Sequence, residues 1–298
     1  MQIVTDRGMD LSAEQWAGLD NVHLVPLLLT LDGKTYRSGV DIQPDEFYRL
    51  LAQTESYPTT SQPSAGDFAE LYRTLARDDP EILSVHISSG LSGTLNAARQ
   101  GAQMVPEARV TFVDSLTLSG PQGWQVEAAA RAARAGWDKD RIVDLLAVIA
   151  AATETIFTLD ELRYLVHGGR ISHMKGLLAS LLQIRPVIGV SKDEGVYYQR
   201  GQARTFKRAL RTLVDVLAHQ FGEGAHLRVQ VMHAQNPTGA EELRSLLAAR
   251  FDCHFLPVAT IAPVLGAHTG PTLVGVGCAP EAIFTGLPWE AGRQTQSA

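Results

Sequence analysis

Three short loops rich in hydroxyl groups contain the residues of this chain that could hold a ligand. They lie at residues 59–64, with the sequence TTSQPS, at residues 88–94, SSGLSGT, and at residues 168–172, GGRIS. Each loop lies beside a predicted helix start, where hydroxyls and free backbone N–H groups suit an anion. A carboxylate accepts several hydrogen bonds, so neutral donors of this kind could hold one.

The loop at residues 88–94 has the strongest structural context. Residues 82–87 are predicted to form a buried strand, and a helix is predicted to start at Thr94. The loop would then follow the carboxyl end of a strand, where ligands of open α/β sheets bind. Thr60 and Ser92 are therefore candidate anion ligands, although turn or helix-cap chemistry is the simpler explanation for each alone, and Ser64 is predicted to be only a cap.

Two residues elsewhere could reach such a site. Arg170 follows Gly168 and Gly169, which are predicted to end a helix, so its guanidinium either supports the terminal carbonyls or lies near the anion. His268 lies between glycines in the segment LGAHTGP, which is typical of a turn. Beside Thr269, it could instead help to hold a ligand oxygen.

The conventional catalytic motifs are absent from the sequence. GLSGT at residues 90–94 departs from the Gly-x-Ser-x-Gly spacing, and neither a Walker A loop, a dinucleotide fingerprint nor a His-Glu-x-x-His helix occurs. Asp6 and Asp114 each follow a predicted strand and could act as bases, but such residues are more often caps or loop anchors. Spacing alone therefore favours an anion-binding protein over an enzyme.

Composition excludes several classes of protein. The 298 residues are 45% hydrophobic, and the formal net charge of −6 argues against binding to nucleic acid or to an anionic membrane surface. The apolar stretches are too short to span a bilayer, and the first residues lack the features of a signal peptide. Cys253 and Cys278 have no metal-like spacing. We expect a soluble cytoplasmic protein with reduced thiols and no metal.

The order of the elements predicts the fold class. Strand and helix signals alternate through the first half, which is typical of a parallel sheet with helices on both faces. In the second half, a predicted hairpin around KDEG at residues 192–195 indicates a mixed sheet. We therefore predict an α/β protein of two domains: a three-layer α/β/α domain at residues 1–153 and a second α/β domain at residues 154–285. A disordered tail is predicted at residues 286–298.

Local patterns give more detailed predictions. Residues 22–31 are predicted to form one long apolar strand, followed by a hairpin turn at Asp32-Gly33. Ser12 and Ser64 are predicted to cap helices, and Ser64 to do so in a capping box with Asp67. Another helix is predicted over residues 175–183.

In combination, these motifs resemble the DegV family over nearly the whole chain, from residue 3 to about residue 277. The matching segments are TSQPS at residues 60–64, ISSGLSGT at 87–94, VDS at 113–115, LRYL at 162–165, GGRIS at 168–172, IRP at 184–186 and GAHTG at 266–270. In one departure, His167 occupies the position before Gly-Gly-Arg where the family commonly has Lys or Arg.

The resemblance implies a long-chain fatty acid, such as palmitate, buried between two α/β domains, with no other cofactor. The Thr and Ser implied to hold its carboxylate are Thr60 and Ser92. The resemblance places this set of residues at the head group: Thr60, Ser61, Ser92, Gly93, Arg170, His268 and Thr269. Some bacterial members present their fatty acid to a separate kinase, which phosphorylates the carboxylate. Such a protein would be a carrier without catalytic activity of its own.

Two other functions stay open at this point. The protein could be a regulatory sensor whose lipid occupancy changes a protein interface. It could also be a hydrolase or phosphotransferase that uses Ser92, with Arg170 stabilising charge; this requires His86 or His268 as a base, and neither has an evident orienting carboxylate. For the fatty acid, apolar residues near the motifs could line a tunnel but are equally good core residues: Phe157, Leu177, Leu181, Ile188 and Leu265.

Overall fold

The structure is a computed structural model that describes residues 1–171, 184–285 and 287. The strands are β1 (Gln2–Asp6), β2 (Val22–Val25), β3 (Leu28–Leu31), β4 (Lys34–Arg37), β5 (Thr59–Ser61), β6 (Glu81–His86), β7 (Arg109–Asp114), β8 (Glu154–Thr158), β9 (Arg185–Val190), β10 (Tyr197–Ala203), β11 (His226–His233), β12 (Asp252–Phe255), β13 (Ala259–Thr260) and β14 (Val274–Pro280). The helices are α1 (Ala13–Trp16), α2 (Pro44–Leu51), α3 (Ala65–Leu75), α4 (Thr94–Gln103), α5 (Ser119–Arg134), α6 (Lys139–Ala152), α7 (Arg163–His167), α8 (Phe206–Phe221), α9 (Pro237–Ala248) and α10 (Pro263–Thr269). None of these described helices is long and apolar enough to cross a membrane.

The first sheet is wholly parallel, with the strand order β2-β1-β6-β7. Successive residues of a strand point to opposite faces, and in β1 both faces are covered. Val4 lies in a cluster with Phe68 and Tyr72 of α3, whereas Ile3 lies in a cluster with Trp124 of α5. The predicted three-layer arrangement around a parallel sheet is therefore confirmed.

The second sheet is mixed, with the order β10-β9-β8-β14-β11-β12 and with β13 paired to β11. The predicted hairpin is confirmed, because β9 and β10 pair antiparallel around residues 191–196. Helices α8 and α9 cover one face of this sheet. From the other face, Phe157, Ile188 and Met232 pack in one cluster with Leu27 and Leu118 from the first half of the chain. The core between the two sheets is therefore built by both halves.

Helix α5 lies between the two sheets. Thirteen of its sixteen residues are buried, so it has no solvent-facing side along most of its length. Its polar side chains bond to both sheets: Gln122 donates to Asp6 of β1 (3.2 Å), and the Trp124 indole N–H donates to Gln230 of β11 (2.8 Å). The predicted domain boundary lies where α6 ends and β8 begins. Because α5 contacts both sheets, the contacts do not divide the chain at this point, and the boundary stays a prediction.

The prediction of one strand over residues 22–31 is wrong. This segment forms β2, which belongs to the parallel sheet, and β3, which belongs to a small antiparallel sheet of order β4-β3-β5. Pro26 lies between them, and because it has no N–H it cannot continue a central hydrogen-bond ladder. The turn predicted after β3 is confirmed: Asp32 and Gly33 both adopt positive φ angles, and β3 pairs with β4.

The predicted helix caps are confirmed. Ser12 and Ser64 both accept a hydrogen bond from a backbone N–H three residues later, and each forms a capping box with the residue at that position. The helix predicted over residues 175–183 and the disordered tail predicted at residues 286–298 lie outside the described residues, apart from Leu287.

A chain of fully buried polar side chains holds the end of β6, from which the loop at residues 88–94 departs. Asp6 accepts hydrogen bonds from Ile87 N and from His86 Nδ1, both at 2.9 Å. His86 Nε2 lies 2.7 Å from Ser84 Oγ, which in turn lies 2.7 Å from the Tyr72 hydroxyl. Because these groups have no access to water, each depends on the next for a partner.

Replacing Asp6 is therefore expected to destabilise the protein strongly. Asp6→Ala leaves His86, Ile87 N and Gly8 N without their acceptor, which is expected to lower the free energy of unfolding by about 3 kcal/mol or more. The measurement is urea unfolding followed by circular dichroism. Asp78→Ala, at an exposed position, is the control and is expected to leave the transition unchanged. Equal stability of the two variants would contradict the structural role of the buried chain.

Candidate ligand-binding site

Thr60 and His268 form a direct hydrogen bond, with 2.6 Å between Thr60 Oγ1 and His268 Nε2. Strand alternation in β5 turns Thr60 inwards and leaves the neighbouring Ser61 exposed. His268 was expected in a turn, but it lies in the last turn of α10, which begins with Pro263 and ends at Gly270 with φ +72°. The turn prediction is wrong because Gly266, before His268, lies within this short helix, and only Gly270, after His268, ends it.

The environment of His268 keeps its imidazole neutral. Burial, assisted by the positive charge of Arg170, lowers the pKa of His268 to about 3. Its Nδ1 atom is buried and has no hydrogen-bond partner among the described residues. A lone pair without a partner costs less than a buried N–H, so the proton belongs on Nε2, which then donates to Thr60. The Thr60 hydroxyl hydrogen is thereby free for a ligand.

Arg170 joins two of the three hydroxyl-rich loops. Its Nη1 donates to Gly168 O at 2.7 Å, and its Nε donates to Leu91 O at 3.3 Å. Both interpretations of the sequence are therefore partly right: the guanidinium supports a carbonyl at the end of α7, and it also lies beside the loop that contains Ser92. Gly168 packs directly against His268 Nδ1, where a Cβ would clash.

Ser92 lies at the start of α4, in a loop that is fixed to the second sheet. The Ser88 hydroxyl donates to Gly195 O at 2.8 Å, and Ser92 N donates to Ser88 O at 3.0 Å. Ser92 Oγ lies 2.8 Å from Thr94 Oγ1. Gly93 is the N-cap residue of α4 and supplies no side-chain cap, so this helix start depends on neighbouring groups.

Two adjoining pockets lie at this junction. The polar pocket is lined by Thr60, Ser92, Arg170 and His268 together with apolar residues such as Ile87. The apolar pocket is lined by this set: Leu118, Ser119, Thr155, Ile156, Phe157, Tyr197, Met232, Ile261, Leu265, Thr269, Leu273 and Gly275. Leu118, Tyr197 and Leu265 line both pockets. A ligand with a polar head and an apolar body would match this pair.

Not every predicted site residue lines the polar pocket. Ser61 and Gly93 are exposed and line neither pocket. Thr269 lines the apolar pocket, and its hydroxyl donates to Leu265 O within its own helix. Of the residues considered for a tunnel wall, Phe157 and Leu265 line the apolar pocket, Ile188 does not, and Leu177 and Leu181 lie outside the described residues.

Sequence reasoning missed Tyr197, which lines both pockets. Burial raises the pKa of the Tyr197 phenol, so it stays protonated and can donate a hydrogen bond. The hairpin that contains Tyr197 was recognised from its turn. Polar and apolar residues do not alternate regularly along β10, which contains a bulge between Gln199 and Gly201. The sequence therefore does not reveal which side chain of the hairpin faces the site.

The groups considered for catalysis have other partners. His86 does have an orienting carboxylate, Asp6, but its second nitrogen faces Ser84, not Ser92. Asp114 accepts hydrogen bonds from the Ser89 hydroxyl and from Leu116 N, as a loop anchor does. In the part of the chain that the structure describes, no three His, Cys, Asp or Glu side chains form a metal-ligand cluster.

Comparison with known proteins gives one consistent result. A sequence model of the DegV family, described as uncharacterised proteins, matches residues 1–281. A DegV domain-containing protein of Deinococcus radiodurans is 34% identical over 97% of each chain. A fatty-acid-binding DegV family protein of Thermus thermophilus has a TM-score of 0.85 at 30% identity, covering 94% of this chain and 99% of its own. A stearic-acid-binding protein of Eubacterium ventriosum has a TM-score of 0.81 at 26% identity, with coverages of 94% and 99%.

His268 is expected to stay neutral where most histidines titrate. Its imidazole resonances in long-range ¹H–¹⁵N spectra should not shift between about pH 8 and pH 5, and His268→Gln identifies which signals are its own. Arg170→Gln removes the second cause of the shift and is expected to raise the pKa of His268 while burial still holds it below its usual value. Titration of His268 near pH 6.5 would contradict this account of the site.

Proposed function

Since this chain belongs to the DegV family, we propose that it binds a long-chain fatty acid, such as palmitate, at the junction of its two domains. The carboxylate would occupy the polar pocket, and the acyl chain would extend into the apolar pocket past Leu118, Tyr197 and Leu265. The observation that supports this proposal is that the polar and apolar pockets adjoin each other. A polar pocket with hydroxyls and one cation adjoins a pocket whose walls are almost wholly apolar.

The head group would be held mainly by neutral donors. With the His268 proton on Nε2, the Thr60 hydroxyl can donate to one carboxylate oxygen, and Ser92 can donate to the other. Arg170 adds a positive charge next to these hydroxyls, which strengthens them as donors to an anion. Neutral His268 adds no charge, so the site would balance one carboxylate against one guanidinium.

The acyl chain would supply most of the affinity. Burial of a methylene contributes roughly 0.8 kcal/mol, so a chain of about 16 carbons gains on the order of 10 kcal/mol before ordering costs. The hydroxyls would then fix the position of the head group, whereas the apolar walls would decide which chain lengths fit.

We further propose that the protein is a carrier and not an enzyme, and that it presents the carboxylate to a separate kinase. The family resemblance supports the kinase, and the surroundings of Ser92 support the absence of catalysis, since Ser92 Oγ contacts Thr94 and not a histidine. A cytoplasmic location is compatible with its two free cysteines, Cys253 and Cys278.

Removing both hydroxyls is expected to release the ligand. Thr60→Val combined with Ser92→Ala deletes two donors to the carboxylate while it keeps the apolar pocket, and each lost hydrogen bond to a charged group corresponds to about tenfold weaker binding. The measurement is native mass spectrometry of the purified protein, followed by identification of the lipid released on denaturation. Ser61→Ala is the matched control, because Ser61 neighbours Thr60 but faces solvent. Unchanged lipid content in the double variant would refute the head-group assignment.

The isolated, lipid-loaded protein is expected to show no turnover. Incubation with p-nitrophenyl esters, or with Mg-ATP, should yield neither hydrolysis nor an acyl phosphate, because Ser92 Oγ bonds to Thr94 Oγ1 and, among the described residues, to no general base. The measurement is release of nitrophenol or ADP. Turnover that is lost in Ser92→Ala would replace the carrier assignment by an enzymatic one.

A further inference from the structure

A second cleft lies at the opposite end of α10 from the polar pocket. It is an open cleft, formed where the loop after β1 meets the starts of α2 and α10. We call it the Arg7 cleft, and these residues line it: Arg7, Met9, Asp10, Leu11, Ser12, Ala13, Trp16, Gly39, Gln43, Pro44, Val258, Ala259, Thr260, Ala262 and Pro263. None of them lines the polar or the apolar pocket.

Among the described residues, Arg7 is a cation that forms no hydrogen bond or ion pair. Its side chain lies flat against Gly39, so that its Nε is buried and makes no hydrogen bond within the described residues. Burial lowers the pKa of Arg7, while the charge of Asp10 partly opposes this effect. Asp10 does not accept a hydrogen bond from Arg7; instead it accepts from Ser119 Oγ and from Ala262 N. A half-buried guanidinium with open donors is therefore available to an anion from solution.

Asp10 separates the Arg7 cleft from the apolar pocket. Its Oδ2 accepts from Ser119, which lines the apolar pocket, and its Oδ1 accepts from Ala262 N at 2.9 Å, at the start of α10. Burial raises the pKa of Asp10 to about 7. Buried carboxyls that titrate near neutral pH in a cleft are characteristic of functional sites. This carboxyl is not used by the fatty-acid site.

We propose that the Arg7 cleft binds a small organic carboxylate with an apolar body, and that Arg7 is the cation that holds it. A guanidinium matches a carboxylate with two parallel hydrogen bonds. The ring of Trp16 and the side chains of Met9 and Val258 provide apolar walls for the body of the ligand. A phosphate dianion fits less well, because the cleft offers a single arginine beside the carboxyl of Asp10. This proposal does not depend on the fatty-acid site.

Binding of a carboxylate in the Arg7 cleft would change the protonation of Asp10. The titratable groups that face it in the described part of the chain are Arg7 from its own loop and Tyr48 from α2, whose phenol stays protonated because burial raises its pKa. Helices α5 and α10 contribute the Ser119 hydroxyl and the Ala262 N–H. A carboxylate bound to Arg7 adds a negative charge near Asp10 and offsets the positive charge of Arg7, which otherwise lowers the pKa of Asp10. Asp10 is then expected to take up a proton when the ligand binds.

The test is calorimetric titration of the protein with sodium benzoate near neutral pH, with and without added palmitate, in two cationic buffers of different ionisation enthalpy. Binding with fractional proton uptake is expected. Arg7→Gln is expected to weaken binding by about tenfold or more, and Arg77→Gln, at an exposed position that does not line the cleft, serves as the matched control. Asp10→Asn keeps the shape of the side chain and is expected to retain binding but to abolish proton uptake.

Four results would overturn the proposal: no binding of benzoate by the wild-type protein, equal binding by Arg7→Gln, proton uptake that persists in Asp10→Asn, or displacement of benzoate by added fatty acid. Inorganic phosphate is titrated in parallel, and tighter binding of phosphate than of benzoate would overturn the assignment to a carboxylate. Because benzoate is titrated with and without added palmitate, failure of the cleft is distinguishable from failure of the fatty-acid site.

Discussion

Burial of α5 between the two sheets is the constraint on which the rest of the structure depends. A helix enclosed on both sides has no access to water, so its polar side chains must find partners in the protein. Gln122 and Trp124 find them in β1 and β11, which ties both sheets to the same helix. At the start of α5, Leu118 and Ser119 line the apolar pocket. The same helix that joins the two sheets therefore borders the apolar space between them.

The polar pocket adjoins this apolar pocket, and its chemistry follows from its location. Burial holds His268 neutral, which makes it a fixed hydrogen-bond donor and not a counter-ion. Charge is supplied by Arg170, which bonds to Gly168 of its own loop and to Leu91 of the loop at residues 88–94. The loop at residues 88–94 is anchored elsewhere, by the Ser88 hydroxyl on Gly195 and by Asp6 on Ile87 N. These donors therefore have fixed positions in the pocket, as the proposed binding of a carboxylate would require.

Patterns within a few residues predicted local structure well, because their physical causes are local. The Asp32-Gly33 turn and the capping boxes at Ser12 and Ser64 are examples, and the family motifs identified the family and the fold class correctly. Predictions failed where distant segments decide the outcome. Residues 22–31 look like one strand because their hydrophobicity is continuous, yet Pro26 sends the two halves into different sheets. The spacing of residues around His268 does not indicate that it meets Thr60, and only the family resemblance placed both at one head group. The outward direction of Ser61 follows only from the pairing of β5 with β3.

The separation of Thr60 and His268 along the chain affects how the protein is made. Their contact joins residues 208 positions apart, and that between Ser88 and Gly195 joins residues 107 apart. Contacts of this span form late, because the entropy of closing so long a loop must be overcome first. On the ribosome, β7 completes the parallel sheet long before α10 has been synthesised. The nascent chain must therefore wait with Leu27, Ile87 and Leu118 uncovered until its second half arrives, and this interval is when it most needs protection from aggregation.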